Sequence, residues 1–263
     1  MHKAAAGTWT KVPAITLGFW FVKILATTLG ETGGDTVSMS WLGETTGESE
    51  VDGYLVGSAF FLPVLAILVF IQVRATRFHP FLYWATIIAS TTAGTTMADF
   101  ATRSMGIGYP GGSLLLLCAV IGVLAWWRRS QGSVAVETIV TPRTEVFYWA
   151  TITISQTLGT ALGDWVADSG PGYDGGALLF GSALALLAAL HFWTRISRVV
   201  LFWTAFILTR PLGATLGDYL DKPVADGGLA VSRPLATAAL LVVIAICILV
   251  LPQKAAKHPD ATA

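Results

Sequence analysis

Seven ionisable side chains interrupt segments that are otherwise apolar: Lys23, Glu31, Asp35, Asp99, Asp164, Arg210 and Asp218. A charge inside such a segment is expensive unless it is paired or hydrated, so each one marks a candidate functional position. Eight residues before three of the aspartates stand Thr27, Thr91 and Gln156, and Arg210 holds the same place before Asp218. Carboxylates, hydroxyls and an amide are oxygen-rich groups that suit hard cations or protonatable carrier sites rather than copper or zinc. A hard cation would draw its ligands from Glu31, Asp35, Asp164 and Asp218. Lys23 and Arg210 would partly cancel the field of a bare cation site. They fit proton-coupled exchange better, with charges paired in one state and separated in another. Cys118 and Cys247, without a C-x-x-C pair or a histidine cluster, read as small hydrophobes. No Gly-rich phosphate loop, H-E-x-x-H or G-x-S-x-G pattern is present, so neither an enzyme nor a cofactor is expected.

The elements that position these groups are written as an internal repeat, which fixes architecture before anything else. Trp20, Trp84, Trp149 and Trp203 are each followed fifteen residues later by Asp35, Asp99, Asp164 and Asp218. The stretches ending in the aspartates read TTLGETGGD, TTAGTTMAD, QTLGTALGD and RPLGATLGD. Gly30/Gly34, Gly94/Ala98, Gly159/Gly163 and Gly213/Gly217 are four small-xxx-small pairs in register, which predicts that the four motif helices pack together centrally. Ala98 in the second copy predicts that alanine is tolerated at that place in the others. Steps of four and eight residues stay on the aspartate's side of a helix, so Glu31, Thr95, Thr160 and Ala214 continue one polar stripe beside each glycine seam. Glu31 and Arg210 lie about 6–12 Å further from the helix end than the aspartates, too deep for loop capping, and an internal ion pair between them is expected. The aspartates themselves have a structural alternative, terminating helices and accepting from loop amides.

Apolar residues make up 54% of the chain, charged residues 12%, and mean hydropathy is +0.67; an ordinary globular domain carries about 25% charged residues. Eight apolar segments fall at 14–35, 54–73, 81–101, 112–127, 145–166, 176–194, 198–219 and 233–251, each near the roughly 20 residues that span a hydrocarbon core. The expected fold is an all-α integral membrane protein of eight transmembrane helices, a single domain over 1–263 built from four parallel two-helix repeats at 14–75, 79–128, 144–195 and 197–251. The return helices, lacking acids, are expected outside. Whether the repeats form a pseudo-fourfold ring or two halves is open. Lys3, Lys11, Arg74, Arg77, Arg128, Arg129, Arg143, Arg195, Arg198, Lys254 and Lys257 flank one side, against Arg103, Lys222 and Arg233 on the other. That asymmetry places both termini in the cytoplasm. The opposite loops are acidic, with Glu48 and Glu50 among them. The four motif tryptophans, with Trp126, Trp127 and Trp193, read as an interfacial aromatic belt. Lys23, nearer the cytoplasm, is expected to snorkel.

TLGETGGD at 28–35, TLGTALGD at 157–164 and LGATLGD at 212–218 resemble the bacterial family of multi-span membrane proteins built from DUF347 repeats. The resemblance covers nearly the whole chain, TTAGTTMAD at 91–99 being the most divergent copy. It implies a polytopic protein of the bacterial inner membrane and supplies no activity. From the residues, the expected function is a secondary transporter of a small cation or small polar solute, coupled to protons. The alternative is a membrane scaffold or sensor whose polar and glycine seam specifies packing. The expected partners are the bilayer and a small ion or solute, with no nucleic acid; a homo-oligomer is left open.

Overall fold

The computed structural model describes residues 9–44 and 51–257; Lys3, Glu48 and Glu50 lie outside the described residues. Eight long helices dominate: α1 (Leu17–Asp35), α2 (Gly53–Arg74), α3 (Pro80–Asp99), α4 (Tyr109–Gln131), α5 (Pro142–Asp168), α6 (Gly172–Trp193), α7 (Arg198–Asp221) and α8 (Arg233–Val250). Their starts follow local chemistry. Thr16 caps α1 by accepting from the Phe19 N–H, and Asp52 caps α2 by accepting from the Leu55 N–H. On α5, Thr141 and Thr144 form a reciprocal capping box around Pro142. The all-α expectation misses a small ribbon, β1 (Trp9–Pro13) antiparallel to β2 (Ala255–Lys257). The ribbon brings the first and last described segments together. Within it Lys11 donates to the Gln72, Val73 and Ala75 carbonyls and sits 2.5 Å from Glu145.

The four motif helices close into a ring. α1 packs on α3 and α7, and α5 packs on the same two from the opposite side. This is the pseudo-fourfold arrangement. The return helices lie outside, and each covers the motif helix of the next repeat rather than its own: α2 on α3, α4 on α5, α6 on α7, and α8 back on α1. Their outward faces carry exposed Phe60, Ile67, Leu114, Ile121, Leu178, Leu186, Leu241 and Leu249. Five helices (α2, α4, α6, α7 and α8) are long and apolar enough to cross a membrane.

The glycine seam is the ring's mechanical basis. Gly30 and Gly34 of α1 face Thr91 and Thr95 of α3; Gly94 of α3 faces Gln156 of α5. Gly159 and Gly163 of α5 face Arg210 and Ala214 of α7; Gly213 and Gly217 of α7 face Thr27 and Glu31 of α1. Each glycine pair thus receives the polar stripe of the next repeat. The expected tolerance of alanine is overturned at this seam. A Cβ on Gly163 would lie 2.9 Å from the Ala214 Cβ, and one on Gly217 would lie 2.7 Å from the Glu31 Cβ.

The tryptophan end is also corrected. Trp84, Trp149, Trp203 and Trp127 are buried, as are Tyr83 and Tyr148. The Trp84 indole donates to the Gln253 side chain at 3.1 Å, and the Trp203 indole donates to the Val134 carbonyl at 2.9 Å. They form an internal aromatic plug because the β1–β2 ribbon and the 133–139 loop cover them. Trp126 and Trp193 are exposed, as belt residues would be.

Candidate functional site

Because the repeats are in register, equivalent positions stack as layers along the centre of the ring. The aspartate layer is Asp35, Asp99, Asp164 and Asp218, all buried. None of the four ends its helical run or accepts from a loop amide among the described residues. α5 and α7 continue to Asp168 and Asp221, while α1 and α3 pass into π-helical turns, Thr36–Trp41 and Phe100–Ser104. The partners are instead cations. Arg103 lies 2.9 Å from Asp99 Oδ1 and 3.1 Å from Asp164 Oδ2. Lys222 lies 2.9 Å from Asp218 Oδ1 and 3.0 Å from Asp35 Oδ2. Arg233 approaches Asp35 at 3.9 Å and Asp221 at 3.7 Å. Burial alone would lower the Lys222 pKa, but Asp218, Asp35 and Asp221 together hold it well above the usual lysine value. Asp99 and Asp164 raise the Arg103 pKa against the same burial. Both groups stay charged.

These bridges reduce the fourfold ring to twofold electrostatics. Arg103 ties the second repeat to the third, and Lys222 ties the fourth to the first. Among the described residues no ion pair joins the aspartates of the first and second repeats, or of the third and fourth. Sequence reasoning noted these cations only as loop charge. The signal was present: Asp99/Arg103 and Asp218/Lys222 are i,i+4 pairs.

One turn deeper is the layer of Glu31, Thr95, Thr160 and Ala214. Ala214 leaves space on α7, and Arg210, one turn below it, reaches into this layer. Its Nη2 lies 2.7 Å from Glu31 Oε2, contacts Thr95 Oγ1 at 2.6 Å and donates to Thr160 Oγ1. The expected Glu31–Arg210 pair is therefore present, and a single guanidinium touches all three other repeats. The next layer is Thr27, Thr91, Gln156 and Arg210 itself. Thr27 Oγ1 donates to the Ile24 carbonyl at 2.8 Å and reaches the Thr209 carbonyl at 3.1 Å. Among the described residues, Thr91 Oγ1, both amide atoms of Gln156, and Arg210 Nε and Nη1 have no hydrogen-bond partner.

Below them lie Lys23, Ile87, Ile152 and Phe206, all completely buried. Lys23 does not snorkel: its Nζ sits 4.3 Å from the centre of the Phe206 ring, a cation–π contact, with no hydrogen-bond partner. The Tyr83 and Tyr148 hydroxyls meet at 2.6 Å one further turn down and begin the aromatic plug.

The metal set expected from sequence is divided. Carboxylate oxygens of Glu31, Asp164 and Asp218 lie within 4.8 Å of one another, whereas Asp35 groups with Asp218 and Asp221. A separate groove of ≈ 720 Å³ opens at the tryptophan end between α1, α6 and α7, lined by Ile24, Leu184, Phe202 and other apolar residues. It contains none of the axial carboxylates.

No curated protein matches the chain, and no solved structure does. The family profile described as Repeat of Unknown Function (DUF347) matches four times, at residues 18–78, 82–133, 147–197 and 201–252. One profile copy therefore covers each motif helix with its return helix, and the four-layered axis is made of equivalent positions of a single repeat. On those matches, which take in nearly all of the ring, the chain belongs to the DUF347 repeat family.

Proposed function

We propose that the protein is an eight-span secondary transporter of a small cation or small polar solute, coupled to protons, in the bacterial inner membrane. Three motif helices are too polar to qualify as spans on their own composition. The outer ring of return helices relieves them of contact with lipid, so their threonines need only face one another. α1 and α3, with 19 and 20 residues, are about 28–30 Å long at 1.5 Å per residue, the thickness of a hydrocarbon core. The arginine-rich loops support a cytoplasmic tryptophan end and an external aspartate end.

The observation that carries the reading is a charge imbalance. Glu31, Asp35, Asp99, Asp164, Asp218 and Asp221 are buried, and the cations among them are Arg103, Arg210, Lys222 and Arg233. Six carboxylates against these four cations, with the buried Lys23 ammonium eight residues before Glu31 as a fifth, leave at least one negative charge that needs a proton or a bound cation, since buried charge without a counter-ion is prohibitive. That excess of buried carboxylate supports a site at which protons and cations compete.

A scaffold is the second reading, favoured by the direct pairing of every axial aspartate with a cation. Against it stand the unpartnered Gln156 amide, Thr91 hydroxyl and Arg210 Nε and Nη1. Polar groups kept only for packing are ordinarily satisfied. The deciding experiment is flux in proteoliposomes against a panel of ions and small solutes, with and without a pH gradient. Transport that collapses with the gradient supports the proposal; absence of flux across the panel by folded protein rejects it.

A further inference from the structure

Resting on the transporter reading, the geometry points to a binding site for a calcium-sized divalent cation formed by Glu31, Asp164 and Asp218. Three repeats each supply one carboxylate, all three are buried, and their oxygens lie within 4.8 Å of one another. Clustered acids alone mean little, but Asp164 adds an independent sign. Its Oδ2 takes Arg103, while its Oδ1 is buried with no hydrogen-bond partner among the described residues. An acceptor in that condition asks for a positive ligand. The neighbouring triad of Asp35, Asp218 and Asp221 also has buried oxygens without a hydrogen-bond partner, Asp35 Oδ1 and both of Asp221, but it draws on two repeats rather than three, and Lys222 and Arg233 both lie against it.

Calcium is favoured by coordination chemistry: magnesium demands near-ideal octahedral geometry and keeps several waters, which suits a buried set of three carboxylates poorly. Three oxygens bound to one ion at ~2.3–2.6 Å can stand up to about 4.0–4.5 Å apart, whereas the ~2.0–2.1 Å shell of magnesium confines them to about 3.6 Å. The carboxylate oxygens lie within 4.8 Å of one another, close enough to converge on one calcium-sized ion. All-oxygen ligation excludes a preference for soft metals.

Arg210 holds the place of a resident counter-ion. Its Nη2 sits 2.7 Å from Glu31 Oε2, so the cation competes with the guanidinium for Glu31. Arg103, with its side chain 38% exposed, marks the way in from the aspartate end.

The test is calorimetric titration of the purified protein in detergent with calcium chloride, followed by competition with magnesium chloride. Wild type should bind one calcium ion per chain, and magnesium at equal concentration should fail to displace it. Asp164→Asn should weaken binding by at least about tenfold, whereas Asp226→Asn, on the exposed Val224–Asp226 turn, should leave it unchanged. Arg103→Gln should bind as well as wild type or better, which separates a ligand role for Asp164 from its ion pair. If Asp164→Asn does not elute as a monodisperse species, Asp218→Asn carries the same expectation. Absence of calcium-dependent heat in wild type overturns the site, as does wild-type binding by both asparagine variants. Loss of binding in Arg103→Gln equal to that in Asp164→Asn also overturns it. Calcium binding without flux in proteoliposomes upholds the site and removes the transport reading; proton-coupled flux of another solute with no calcium binding does the reverse.

Discussion

Gly213→Ala tests the closed ring most directly. Here α7 returns to α1, and an added Cβ would lie 2.5 Å from the Thr27 Cβ and 2.7 Å from the Thr27 main-chain carbonyl carbon. The second distance matters more, since a side chain can rotate away but a backbone atom moves only with its helix. Overpacking costs about 1–3 kcal/mol, and a main-chain obstacle puts this case at about 3. Alanine recovers about 1 kcal/mol of helix propensity. The net loss is about 2 kcal/mol, or about 4–8 °C in Tm for a chain of this size. The control is Gly33→Ala, three residues beyond Gly30 on α1 and off the seam. Its Cβ would meet nothing nearer than Thr237 Cγ2 at 3.7 Å, so propensity alone operates and Tm should hold or rise. Thermal unfolding in detergent, followed by tryptophan fluorescence, reads both. Equal Tm for the two variants would refute close approach of α7 to α1, and with it the ring.

Glu31→Gln and Arg210→Gln should each abolish coupled flux and destabilise the protein by about 3–5 kcal/mol, because the surviving partner is a buried, uncompensated charge. The double variant should regain most of the stability and none of the flux, as measured by melting and proteoliposome assays. Lys23→Met replaces a buried ammonium without a hydrogen-bond partner by an apolar side chain of similar length. Its Tm should rise, while any coupling through that charge is lost from the pH dependence of flux. Cysteines placed near Met105, Gly170 and Val224 should react with an impermeant reagent from outside intact cells; protection of two of the three rejects the orientation.

Much of the centre was legible in the sequence because a fourfold repeat makes each position a prediction for three others. Register alone placed the glycine seam, the stacked polar layers and the Glu31–Arg210 pair. What it missed depends on relations between helices rather than within one. Arg103 and Lys222 look like loop charges until their i,i+4 aspartates are seen to continue in helix, and only the closed ring shows each reaching a second repeat. The tryptophans misled for a similar reason. An indole near a helix end suits a headgroup as well as a buried carbonyl, and the ribbon that buries Trp84 and Trp203 joins segments more than 240 residues apart. Alanine tolerance failed because Ala98 reports on its own neighbours, not on the Glu31 side chain that fills the space beside Gly217.

The offset of the return helices, each covering the next motif helix, has a consequence for biogenesis. The first motif helix to leave the ribosome is the last to be enclosed: α1 carries Lys23 and Glu31, yet its flanks are α7 and α8, the last two helices made. Chains emerge at roughly 5–20 residues per second and fold N-terminal parts first, so for some ten seconds or more α1 has α3 alone beside it and two charges without their eventual surroundings. On the proposed membrane reading, retention near the insertion machinery until α7 delivers Arg210 is the physical solution. A truncation ending after α6 should therefore be degraded, although three of its four repeats are whole.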